Sequence, residues 1–372
     1  MKWIFSLLLL WAVSADAKYL DSESCNECHE KIYAEHTVSM HHKSSLFKDE
    51  VHRKVKEKVN KEKYACALCH MPATKNLSSM IRGMEQPDPK SKRQQDGVSC
   101  FYCHQINRIY HGTTYNINFY SYKTGVKPKF MADLDNPDSS DKHDSESNEI
   151  FKNSEVCMGC HSHKQNQHEF EVCNAQDAQG ATSDCIGCHM PKDPGGAEKY
   201  NKRGRDEYAT HKFLGIHSPE MVKRAVELKL TQTDDNGIDL EIINKMGHPI
   251  ITQPMRLKFV KTIVIRDGKT IWSNFKKSPI EDKEATFIIV FKDKEGKPAM
   301  PQAAVGYKIK QNLPAMQSKT IHYDIPDLKE GDRVEATWIS YIINPKIAKI
   351  LEITDKALLK AYKGASISLR IR

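Results

Sequence analysis

Cysteine is missing from everything after position 188 of this 372-residue chain, although eleven cysteines crowd between Cys25 and Cys188. A disulfide framework stapling the whole molecule is excluded by that distribution. Apolar residues are scarce too: they make up 39% of the chain, and mean hydropathy is −0.61. Something other than a large aliphatic core must organise part of a chain this long. Beyond the N-terminus no run is long and apolar enough for a transmembrane helix, which needs about 20 such residues. The formal charge of +8 would by itself suggest acidic partners.

The N-terminus, MKWIFSLLLLWAVSADA, has a basic Lys2, an apolar stretch from Ile4 to Val13 and the small pair Ala15 and Ala17 around Asp16. This is the pattern of a secretory signal peptide spanning 1–17, cleaved after Ala17. The mature chain is expected to be exported and periplasmic, without a transmembrane span.

Ten of the eleven cysteines form five pairs of one spacing: Cys25/Cys28, Cys66/Cys69, Cys100/Cys103, Cys157/Cys160 and Cys185/Cys188. Each pair is followed at once by histidine: His29, His70, His104, His161 and His189. With histidine at only 17 of 372 positions, five such placements are not coincidence. C-x-x-C-H is the attachment signature of c-type haem. Two thiols add across the porphyrin vinyl groups, and the adjacent imidazole becomes the proximal iron ligand. Zinc sites use C-x-x-C pairs but make no demand for a histidine after each second cysteine. A thioredoxin-like dithiol would need one such motif beside a βαβ pattern. The expectation is five covalently attached haems c. Cys173, in HEFEVCNAQ, stands outside the pattern and reads as a free or partly buried thiol.

Five macrocycles in so short a segment would supply much of its apolar interior. Two propionates per haem would add about −10 to the chain's +8, so the apparent basicity balances the cofactor and does not point to nucleic acid. CALCHMP (66–72) and DCIGCHMP (184–191) share a Met-Pro tail, which suggests two copies of a dihaem unit with Cys100–His104 between them. Lys48 to Lys63 carries Val51, Val55 and Val59 four apart, an apolar stripe on a charged helix. Asp133 to Glu149 is acidic, rich in serine and poor in apolar residues, and reads as a mobile surface loop.

The stretch CNECHEKIYAEHTVSMHH resembles the opening of the multihaem cytochromes related to the tetrahaem cytochrome c of nitrifying bacteria, the electron acceptor of hydroxylamine oxidoreductase. In that family a Ser/Thr-x-His follows the first motif, its histidine twelve positions after the proximal one. Ser39-Met40-His41 fits, and the resemblance implies that His41 is a distal ligand, usually to a different haem. GVSCFYCHQINRIYHG resembles the third motif of the family and makes His111 a candidate, at a different offset. HKFLGIH (211–217) resembles the stretch closing the haem region in larger relatives and offers His211 and His217. GHP (247–249) resembles a turn opening the β-domain of some relatives, so His248 is a further candidate. The likeness covers roughly residues 19 to 215, and the family's protein has four haems where this chain has five motifs. His143, His163 and His168 stay outside this set, while His36, His42, His52 and His322 read as solvent-facing.

From about Met221 the character changes. Period-2 apolar runs appear (VELKLTQ, IDLEIIN, LKFVKTIVIRDGKTIW, TFIIVF, VEATWISYII, SISLRIR), with a hairpin signal at Asp267-Gly268-Lys269. They predict an antiparallel immunoglobulin-like β-sandwich over 221–372, interrupted by an amphipathic helix near 346–363. The fold class expected is α+β in two domains, an α-rich, loop-rich cytochrome domain (18–220) followed by the sandwich. The function expected is an exported pentahaem carrier in anaerobic respiration. It would relay electrons from a donor such as a quinol-linked membrane cytochrome to a terminal reductase or another carrier. Two other readings stay open. One is an oxidoreductase acting on a small nitrogen or sulfur compound at a five-coordinate haem. Pentahaem nitrite reductase is not matched, since its active-site motif ends in lysine and all five motifs here end in histidine. The other is a non-catalytic subunit of a larger complex.

Overall fold

The computed structural model describes residues 19–59, 61–120, 127–175, 184–198, 203–234 and 236–372; the signal peptide expected over 1–17 lies outside them. Among the described residues no helix is long and apolar enough to cross a membrane.

Up to residue 225 the elements are short. Among the described residues there, the longest helix is Glu50–Val59, with Glu50 in its first turn and Lys56 and Lys58 in its last, each charge placed to suit the helix dipole. Four of the five motifs sit on one helical turn or at its end. These are Ala67–His70, Cys100–Cys103, the 3₁₀ turn Glu155–Gly159 and Cys185–His189. A turn of helix puts residues three apart on one face, so both thiols of a pair point the same way. The fifth turn is capped by Asp184, whose Oδ1 accepts the Gly187 N–H at 2.7 Å. A Cβ at Gly187 would stand 1.9 Å from Asp184 Oδ2, so a larger residue there would displace the capping carboxylate.

Between the turns lie four two-stranded sheets, which a helix-and-loop expectation did not include. They pair Ile106–Tyr110 with Ile117–Tyr120, Lys129–Ala132 with Asp144–Ser147, His163–Gln165 with Glu171–Asn174, and Lys192–Pro194 with Glu207–Ala209. The second corrects the surface-loop expectation for 133–149, since the end of that stretch adds a parallel strand and then the helix Glu149–Lys152. Strands of three to five residues leave too little alternation to be read in sequence.

From Val226 onward the fold is antiparallel and continuous. Val226–Gln232, Gly237–Asn244 and Ser318–Asp324 make a three-stranded sheet, with Gly237–Asn244 in the middle. Leu257–Arg266, Thr286–Lys292, Arg333–Tyr341 and Ala361–Arg370 form the spine of a seven-stranded one. Leu228, Leu240, Ile242 and Ile321 of the first face Val260, Phe287, Ala336 and Trp338 of the second. The turn at Asp267 and Gly268 (φ 50° and 75°) joins Leu257–Arg266 to Lys269–Ser273, the left-handed pair that a tight two-residue hairpin requires. The predicted helix near 346–363 is shorter than its pattern. It runs Pro345–Leu351, ends at Glu352 with φ 54°, and the chain re-enters the sheet at Ala361.

The two halves meet along the Glu50–Val59 helix. Val55 packs with Ile342, Ile343, Ala348 and Leu351. The Glu50 carboxylate accepts from the backbone N–H of Thr354 and Asp355 and from the Thr354 hydroxyl (2.8–3.2 Å).

Candidate functional site

A cavity of about 2580 Å³ runs through the motif-bearing half and along the face of the two-sheet half. All ten motif cysteines and all five motif histidines line it. A site for one drug-sized ligand is roughly 300–1,000 Å³, so this space suits several large cofactors. The thiols of different motifs meet within it: Cys25 contacts Cys100, Cys69 contacts Cys160, and Cys157 contacts Cys185.

Each motif histidine faces one other histidine. His29 lies 6.3 Å from His143 between ring centres, His161 lies 5.9 Å from His41, His104 lies 6.1 Å from His211, and His189 lies 6.4 Å from His248. In these four the planes are inclined by 18–33°. Two metal–nitrogen bonds of about 2.0 Å, with the distance from nitrogen to ring centre on both sides, place two ligating imidazoles roughly 6 Å apart. The four pairs therefore leave the gap that an axially ligated iron fills. The fifth pair, His70 with His52, is closed to 3.8 Å at 46°.

Ligating histidines as a rule donate their other ring N–H to a carbonyl or carboxylate, which fixes the tautomer. His104 Nδ1 donates to Met131 O (2.6 Å), His211 to Ala209 O (2.9 Å), His248 to Pro249 O (2.9 Å), and His189 to Leu214 O. His52 differs, since its Nδ1 bonds to a carboxylate, Asp49 Oδ2, at 2.7 Å. Asp49 Oδ1 accepts the His52 backbone N–H as well, so one side chain both starts the helix and orients the ring. Burial pushes His41 and His211 down to about 3 and His248 to about 4, with neighbouring imidazoles adding to it for the first two. That keeps all three in the neutral form a metal binds. Phe151 stacks on His104 (5.7 Å, 8°), and Phe213 packs against His41 at 4.0 Å.

Among the histidines singled out in sequence, His41, His211 and His248 are brought against motif imidazoles. His111 is not: it lies on the surface, 2.9 Å from Glu155, outside the cavity. His217 lines the cavity and is pushed down to about 4 by burial, then by Arg256. Reading His52 as solvent-facing is corrected by its contact with His70, and reading His36 so is corrected by its burial (3% exposed) and its bond to Val98 O at 2.9 Å. His42 is half-buried between Asp96 and Lys48. His143 has no motif-like cue, and only its position beside the Lys129–Ala132 strand carries it to His29. His163 bonds to Thr113 O, and His322 lies between Asp239 and Asp324. Cys173 lines the cavity with its thiol pushed up to about 11 by burial.

Two family models match separate stretches of the chain. "Cytochrome c554 and c-prime" covers residues 24–105, and "NapC/NirT cytochrome c family, N-terminal region" covers residues 145–235. No curated protein matches. Among solved structures, a penta-heme cytochrome c552 from Thermochromatium tepidum is similar in fold, with a TM-score of 0.75 and 22% identity over 95% of this chain and 99% of that one. Five C-x-x-C-H turns around one cavity and two cytochrome family matches on different motifs lead to one assignment: the chain belongs to the multihaem c-type cytochromes, proteins of electron transfer.

Proposed function

We propose that this protein is an exported, periplasmic pentahaem electron carrier. It would take electrons from a respiratory donor such as a quinol-linked membrane cytochrome and pass them to a terminal reductase or another carrier. The observation that carries this reading is the pairing of four motif histidines with second histidines at 5.9–6.4 Å, with His52 lying beside the fifth motif histidine, His70. Bound haem supplies a one-electron ferric/ferrous couple at each site. The chain's own residues do the rest. The paired cysteines would anchor the haems, and the imidazoles oriented by carbonyls of Met131, Leu214, Ala209 and Pro249 would hold the irons. Phe151 and Phe213 keep water from the rings they cover. An iron with both axial sides occupied offers no place for substrate, which favours relay over catalysis. The two packed sheets, which we read as an immunoglobulin-like sandwich, contribute His248 and so take part in the array.

One observation favours the second reading. His52 and His70 stand too close for an iron between them. If His52 stays bound to Asp49 and off the metal, His70 is the only axial ligand there, and the second motif becomes a reaction centre for a small nitrogen or sulfur compound. Electron paramagnetic resonance of the oxidised protein separates the two. Relay predicts low-spin haem alone; a high-spin signal of about one haem per chain, altered by nitrite, hydroxylamine or sulfite, overturns it.

A further inference from the structure

Lys258 lies on the strand Leu257–Arg266 of the seven-stranded sheet, Arg256 immediately precedes that strand, and both line the cavity. Both residues are half-buried. Among the described residues their hydrogen bonds are to main-chain carbonyls: Arg256 Nη1 donates to Ile342 O and Lys258 Nζ to Ile250 O at 2.8 Å. Neither makes an ion pair with a carboxylate among the described residues. Asp49 is near enough to Arg256 to act on it only through space. Two like charges withdrawn from part of their water, with only neutral partners, are costly, because the lost hydration is left uncompensated. Burial and mutual repulsion push Lys258 down to about 7, and burial pushes Arg256 to about 10.

The charges face different motifs. Lys258 acts on His248, which is paired with His189 of the fifth motif. Arg256 acts on His217 and lies toward Asp49, beside His52 and His70 of the second. The geometry points to a carboxylate-holding edge: Arg256 binds a propionate of the haem at the second motif, and Lys258 one of the haem at the fifth. The class of ligand is a carboxylate that never leaves. A transient oxyanion would leave both cations unpaired between turnovers, whereas a covalently attached group offsets their burial throughout. The two-sheet half thus supplies both an iron ligand, His248, and counter-charges for groups anchored in the other half. This inference rests on the haem reading of the second and fifth motifs and holds whether or not His52 ligates iron.

Arg256→Gln and Lys258→Met test it by spectroelectrochemical titration of the holoprotein. A cation beside a haem favours the reduced, more negative state. Each variant should therefore lower the reduction equilibrium constant of one haem about tenfold, 59 mV for a one-electron couple, and leave the others in place. Arg256→Lys and Lys258→Arg should keep wild-type potentials. Should the charge-removing variants retain fewer than five haems by pyridine haemochrome while the charge-keeping ones retain all, the edge is again supported. Unchanged potentials at full haem content overturn it, and so does equal haem loss in both kinds of variant. Titration of the wild type with nitrite or sulfite supplies the other arm: a spectral response lost in Arg256→Gln means the edge takes a free oxyanion, against the proposal. High-spin haem in the resonance spectrum would break the carrier reading while leaving these shifts intact.

Discussion

Before Val226 the buried apolar side chains fall into small groups, such as Leu46, Tyr64, Ala67, Met71 and Met80 around the second motif, and Tyr102, Ile106, Ile109, Met131 and Phe151 near the third. Beyond it a larger cluster extends from Val226 to Trp338 between two sheets, draws in Tyr362 and Ile367 from the last strand, and is flanked by smaller ones around Ile238 and Val334 and around Phe259 and Ile288. The first half surrounds an internal space with thiols, imidazoles and short turns, and the second lines one side of that space. The second half has its own core packed sheet on sheet. The difference teaches where folding energy comes from. Burial of apolar side chains at about 25 cal/mol per Å² organises the sheets, while the motif half has its hydrophobic element delivered as a cofactor.

The sharpest way to break that contrast is to withhold the cofactor. Chain made without haem attachment should lose protease resistance before residue 226 and keep it in the strands beyond, as read by mass spectrometry of the fragments. A protected motif half would refute the contrast. Next in size, Trp338→Ala removes a side chain with 0% exposure at the centre of the sheet cluster. It should cost about 3–5 kcal/mol in chemical denaturation, with absorption of the haems unchanged until unfolding begins. Smallest, Glu50→Ala cuts the bonds to Thr354 and Asp355 at the seam. About 1–3 kcal/mol should be lost. If the halves unfold as one unit, the loss appears in a single transition; if not, the two transitions move apart.

The motifs were fully legible in sequence because their chemistry is local: two thiols and an imidazole within one helical turn. The period-2 strands were legible for the same reason, since alternation is a property of neighbours. His52 and His143 were not. His52 sits on a charged helix whose valine stripe marks the packed face, and what brings it to His70 is the Asp49 bond and tertiary placement. His143 depends on a parallel pairing between segments over a dozen residues apart, which composition alone reads as solvated loop. His111 shows the converse: its surroundings resemble a ligand site, yet it ends at the surface, hydrogen-bonded to Glu155. The helix continued too far in sequence because its apolar spacing persists past Glu352, where the backbone turns left-handed.

His248 faces His189 across the boundary between the halves. In chain order the fifth motif comes well before the turn that carries its partner imidazole. A chain ending before Gly247 would hold one imidazole of that pair without the other, so the sheets are needed to complete the surroundings of the fifth motif.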